Sequence, residues 1–176
     1  MTSEIAGWYW AEGDPVGTKR YWNGGTWEQG IVGEQPWQRF AAKLIDSVTL
    51  GIIITFLVPA VLSGGTWYLL FVISLVVVVA YEVGFVVSRG GTPGKLLMGL
   101  RVVEIATGQT PPSGSVATRR WAPSVAAAIP LVGIFIAIII MIVSCLWLFT
   151  DANRQSVFDR AAKTYVVRIP RVPIPK

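Results

Sequence analysis

Histidine is absent from this 176-residue chain, and cysteine occurs once, as Cys145. Without histidine the commonest metal ligand and the commonest general base are missing, so neither a zinc hydrolase nor a Ser-His-Asp site can be assembled within the chain. One cysteine in an apolar run excludes an internal disulfide framework and says little about compartment. Charge is scarce too: Asp, Glu, Lys and Arg make up 14% of the residues, against about a quarter in a soluble domain. The N-terminal region lacks an apolar h-region and carries Glu4, Glu12 and Asp14, so no cleavable signal peptide is expected.

Apolar side chains fill the gap, at 53% of the sequence. The first apolar segment runs from about Phe40 to Leu62 and the second from Thr66 to Ser88. Each is long enough, at roughly 34 Å of helix, to cross a hydrocarbon core of about 30 Å. Only Ser63-Gly64-Gly65 separates them, which predicts a tight antiparallel hairpin. The third region, 121–149, is too long for one crossing and too short for two, and contains Pro130 and Gly133. It reads either as one tilted crossing after an interfacial helix or as a hairpin broken at Pro130–Gly133. The predicted fold class is an all-α polytopic membrane protein with three apolar segments, plus a small N-terminal Trp-rich β module.

The net charge of +5 lies beside the apolar segments, which suits anionic lipid and topology signals better than nucleic acid. Arg89, Lys95, Arg101, Arg119 and Arg120 follow the second segment, and the first loop carries no charge. The positive-inside rule then puts the N-terminus and the 89–121 connection in the cytoplasm of a plasma-membrane protein. The C-terminal stretch holds Arg154, Arg160, Lys163, Arg168, Arg171 and Lys176, and a single third crossing would export them. That conflict favours the broken hairpin, or a third segment that does not fully cross. Alternation in Leu100 to Ile105 predicts a surface strand, with KTYVVRI able to pair with it.

Acidic residues within apolar segments are functional candidates. Arg39, Lys43 and Asp46 fall on one helix face, and Asp46 and Glu82 lie at similar depths from a shared boundary. They could bind a cation or relay protons, or Asp46 could form a structural ion pair with Arg39 or Lys43. The Gly90-Gly91-Thr92-Pro93-Gly94-Lys95 stretch is not a phosphate-binding loop, because Arg89 replaces its first glycine and Leu96 its Ser/Thr. It reads as a Pro-Gly turn. No catalytic residue, metal site or cofactor is expected, and the chain is not expected to be an enzyme.

Taken together, Arg39-x6-Asp46, GTPGKLLMGLRVV (Gly91 to Val103), Arg119-Arg120 and NRQSVFDRAAKTYVV (Asn153 to Val167) resemble the RDD family of bacterial membrane proteins. The resemblance covers about Trp37 to Arg168. It implies an arginine and an aspartate in the first helix, here Arg39 and Asp46, and a second, more variable aspartate. Asp159 is the preferred match for the latter and Asp151 the alternative. Membrane transport, including cation/proton exchange, has been proposed for some members.

Residues 7–28 read as a separate unit within a 1–34 module. Trp8, Tyr9, Trp10, Tyr21, Trp22 and Trp27 are too many aromatics for a linker, and Asn23-Gly24 is a hairpin signal. The unit resembles a short Trp-rich domain found on actinobacterial membrane proteins. Its aromatics can form a minimal core, or Trp8, Tyr21, Trp22 and Trp27 can bind a protein partner, or tryptophans can sit among headgroups. Residues 35–168 form the transmembrane domain and 169–176 a basic tail. The expectation is a multi-pass protein with a transport role, its partners being the bilayer and a homo-oligomer. The rival is a non-transporting scaffold that docks a cytoplasmic partner through the Trp-rich module.

Overall fold

The structure is a computed structural model that describes residues 5–14, 18–32, 36–57, 59, 66–129, 132–151 and 153–169. Three short strands open it: β1 (Gly7–Tyr9), β2 (Lys19–Trp22) and β3 (Trp27–Val32). Helix α1 (Pro36–Ile52) follows and continues as a π-helical turn, Ile53–Leu57. Next come α2 (Trp67–Arg89), α3 (Pro93–Leu97) and β4 (Leu100–Glu104). Helix α4 (Gly114–Trp121) runs into a 3-10 segment, Ala122–Ala128. Helix α5 (Gly133–Thr150), α6 (Val157–Ala162) and β5 (Thr164–Arg168) complete the fold.

The all-α expectation needs correction, because five strands form one sheet in the order β1-β2-β3-β5-β4. The expected pairing of the 100–105 segment with KTYVVRI is present: β4 and β5 are antiparallel, from Leu100 opposite Arg168 to Glu104 opposite Thr164. The N-terminal strands extend the same sheet, with β3 joining β5 through Ile31 opposite Arg168. At Gly30 a Cβ would collide with the Val167 side chain, so only glycine lets the two strands approach this closely. The β2–β3 turn follows the Asn-Gly signal, with Asn23 Oδ1 accepting from the N–H groups of Gly25 and Thr26 at 3.0 and 2.8 Å.

Alternation along β4 and β5 places Leu100, Val102 and Val166 on one face, where they pack with Ala42 of α1, Val86 of α2 and Ala117 of α4. Val103, Tyr165 and Val167 take the other face, with Val32 and Trp8. The sheet is therefore the plate on which the lower ends of the long helices stand.

Those helices are turned inside out relative to a soluble protein. Along α1 the buried positions are Arg39, Ala42, Asp46 and Leu50, while Trp37, Phe40, Leu44, Val48 and Ile52 are exposed. Exposed apolar side chains also run along α2 and α5, including Phe71, Leu75, Val76, Ile138, Ile139 and Leu146. An exposed apolar surface of this extent marks contact with membrane or protein.

Two helices are long and apolar enough to cross a bilayer, within Tyr68–Arg89 and Gly133–Thr150. The expectation of three such segments is therefore not met among the described residues. Arg39, Lys43 and Asp46 dilute the first half of α1, and the first loop lies outside the described residues. The 121–149 region is not one helix: the 3-10 segment ends at Ala128 and α5 begins at Gly133. Pro130 itself lies outside the described residues.

Candidate functional site at the helix–sheet junction

Two buried carboxylates organise the junction. Asp159 occupies the third position of α6, where it forms a capping box with Ser156. Its Oδ2 accepts from Ser156 N at 3.0 Å, from Ser156 Oγ at 2.9 Å and from Arg39 Nη1 at 3.0 Å. Its Oδ1 accepts from Arg120 Nη1. With Asp159 only 1% exposed, burial pushes its pKa up, but the guanidinium groups of Arg120 and Arg39 and the Ser156 N–H outweigh that and hold it near 2. Arg39 also donates to the carbonyls of Arg154 at 2.5 Å and Val166 at 2.9 Å. One arginine thus ties α1 to α6, to the segment before it and to β5. Arg120 Nη1 further donates to Thr164 Oγ1 at 3.0 Å.

Asp46 is 2% exposed and differently served. Its Oδ1 accepts from Tyr81 Oη at 2.9 Å and from the Gly94 N–H at 2.8 Å, and its Oδ2 accepts from Thr92 Oγ1 at 2.5 Å. Thr92 is the N-cap of α3 and Pro93 follows it, so the carboxylate of α1 caps the start of α3 from outside. A Cβ at Gly94 would collide with the Ala42 carbonyl and crowd the Asp46 carboxyl, so glycine sets the close packing of α3 on α1. All three donors to Asp46 are neutral. Among the described residues no cationic group forms an ion pair with it.

The alternative of an ion pair between Asp46 and Arg39 or Lys43 is therefore corrected. Arg39 pairs with Asp159, and Lys43 Nζ pairs with Glu82 Oε1 at 2.7 Å. Arg39 and Asp46 share the inner face but lie seven residues apart along α1, at different levels, whereas Lys43 lies at the outer edge, 65% exposed. Tyr81, one residue before Glu82, reaches Asp46, while Glu82 is paired with Lys43. Asp151 ends α5, accepts from the Gln155 N–H at 3.1 Å and pairs with Arg160 at 2.8 Å near the surface. The Arg160 guanidinium lies 4.1 Å from the Trp147 ring centre.

Tyr81, Thr92, Gly94, Arg120 and Ser156 were not singled out as site residues from sequence. Thr92 and Gly94 lie in the stretch read as a simple turn; the Thr-Pro pair was the available signal for a capped helix start.

Among the aromatics, Trp8 donates from Nε1 to the Ile105 carbonyl at 3.0 Å and meets the Tyr165 ring edge-on at 5.0 Å. Tyr21 packs on Trp8 at 5.2 Å and its hydroxyl donates to the Ala106 carbonyl at 3.3 Å. Both face the rest of the chain. Trp22 and Trp27 form a tilted pair 5.2 Å apart at the far end of the β2–β3 ladder.

No metal-binding group of His, Cys, Asp and Glu occurs among the described residues. Comparison with curated proteins and with solved structures yields no match. A family model, that of the RDD family, matches residues 34–163, from just before α1 to the residue preceding β5. The inside-out helices and this match agree with a membrane location. The matched span takes in Arg39, Asp46, Arg120 and Asp159, the residues on which both buried carboxylate sites depend, and on it the chain belongs to the RDD family.

Proposed function

We propose that this is a multi-pass plasma-membrane protein, not an enzyme, that exchanges a cation against a proton at Asp46. The observation that carries the reading is the charge balance at that residue. Among the described residues this buried carboxylate is held by neutral donors with no cation at ion-pair distance, which leaves its counter-charge to a mobile ion. Asp159 has its counter-charges built in and acts as framework, as does the Lys43–Glu82 pair. Tyr81 and Thr92 position the exchanging carboxylate. A bundle this small leaves little room for alternating access, so the path is placed in a homo-oligomer.

The sheet supports an even number of crossings. β3 precedes α1, β4 follows α2 and β5 follows α5, yet all three are hydrogen-bonded neighbours in one sheet. Strands joined in this way share one side of a bilayer. The α1–α2 pair then crosses and returns, and the 3-10 segment packed beside α5 supplies the other arm of a second, shallower hairpin. Arg89, Arg160, Lys163 and Arg168 flank the sheet, which supports a cytoplasmic position for that side.

Proton flux in proteoliposomes, driven by Na⁺ or K⁺ gradients, tests the reading. Wild type should show cation-dependent flux and Asp46→Asn should lose it; no flux in wild type with either ion overturns it. The scaffold alternative retains the Trp22–Trp27 pair and the exposed Trp10, since Trp8 and Tyr21 are engaged within the chain.

A further inference from the structure

The exposed apolar side chains of α1 and its π-helical continuation run from Trp37 to Phe56, and those of α2 from Tyr68 to Val87. Each belt is about 29 Å tall at 1.5 Å per residue, close to a hydrocarbon core of about 30 Å. Helix α3 follows the end of α2 and would be expected below this belt, in water. It lies instead beside Ala42 and Asp46 of α1, with the Gly94 backbone against the Ala42 carbonyl. Ala42 is five residues past Trp37, or about 8 Å inside the belt.

The chain enters and leaves this position at one level. The Gly90 carbonyl, just past α2, accepts from the Val102 N–H of β4 at 2.6 Å, so the intervening residues form a closed excursion. Its backbone is satisfied from within, the Thr92 hydroxyl and the Gly94 N–H by Asp46 and the Leu96 and Met98 N–H groups by the carbonyls of Thr92 and Gly94, and Lys95, its one charged residue, is half-buried. Non-spanning backbone at membrane depth requires such satisfaction. Outward the excursion presents Leu97, 65% exposed, beside the apolar row of α1.

We infer that residues 91–98 form a re-entrant segment that dips from the sheet side into one leaflet, with Leu97 facing lipid acyl chains. Asp46 is its anchor, so its carboxylate both caps α3 and holds it at depth. The inference rests on the proposal that the apolar helices cross a bilayer. It adds that a third kind of surface, a short polar-cored helix, is also lipid-facing. Lys43, next to Ala42 in the chain, lies at the same depth, and its ammonium is paired there with Glu82.

The test is depth-resolved quenching on the full chain in phosphatidylcholine vesicles. Single cysteines at Leu97, Ile139 and Thr107, in a Cys145→Ser background, carry a small environment-sensitive fluorophore. Ile139 is exposed in mid-α5 and Thr107 in the turn after β4. The label at Leu97 should be quenched several-fold more by spin-labelled lipid, and several-fold less by aqueous iodide, than the label at Thr107. If Leu97 follows Thr107 while Ile139 reports lipid, the re-entrant segment is refuted and the spanning helices stand. If Ile139 also follows Thr107, the membrane proposal falls with it.

Discussion

Asp159 sits between two guanidinium groups, whereas Asp46, equally buried, receives its hydrogen bonds among the described residues from Tyr81, Thr92 and the Gly94 backbone. The two carboxylates lie in one family domain and each joins distant segments. They differ in whether the fold supplies the opposite charge. A compensated acid has no reason to exchange its proton near neutral pH, and its loss strands two buried cations. An uncompensated one can be replaced by a neutral isostere with little structural penalty, yet it is where a mobile charge would bind.

The comparison can be broken in several ways, each read by thermal unfolding in detergent. Asp159→Asn should have the largest effect, about 3–5 kcal/mol, because Arg39 and Arg120 are left buried without their partner. Acid should reproduce part of this loss. The folded pKa of Asp159 is depressed from 3.8 to about 2, so its contribution is fully present above pH 4 and is lost as pH falls toward 2. By about 1.4 kcal/mol per pKa unit this amounts to roughly 2–3 kcal/mol, and the stability difference between wild type and Asp159→Asn should shrink over that window.

Gly94→Ala should follow at about 1–3 kcal/mol, through the clash that lifts α3 from α1. Asp46→Asn should cost about 1 kcal/mol or less, since an amide oxygen still accepts from Tyr81 and Gly94 while its amino group faces the Thr92 hydroxyl. Lys43→Ala removes an exposed pair and should cost under about 1 kcal/mol. Reversal of the order of Asp159→Asn and Asp46→Asn would dissolve the distinction between them.

Much of this architecture was legible in the chain itself. Period-two alternation in Leu100 to Ile105 marked β4, and KTYVVRI, read as able to pair with it, does so as β5. The i, i+7 spacing of Arg39 and Asp46 placed both on the inner face of α1. Periodicity assigns a face, however, and not the partner across it. Arg39 and Asp159 are 120 residues apart, and nothing local to either distinguishes their pairing from the nearer Arg39–Asp46 alternative. The junction of β3 with β5 was hidden for the same reason, because the aromatics of the first strands form a plausible core by themselves. Docking of Trp8 on Tyr165 and Ile105 is a tertiary fact.

Proton release from the purified full-length protein on addition of NaCl or KCl, in weakly buffered detergent solution, addresses the central distinction most directly. The account predicts release of up to about one proton per chain, abolished in Asp46→Asn and retained in Glu82→Gln, whose carboxylate is already paired with Lys43. Release that persists unchanged in Asp46→Asn, or that is absent from wild type with both salts, would contradict it.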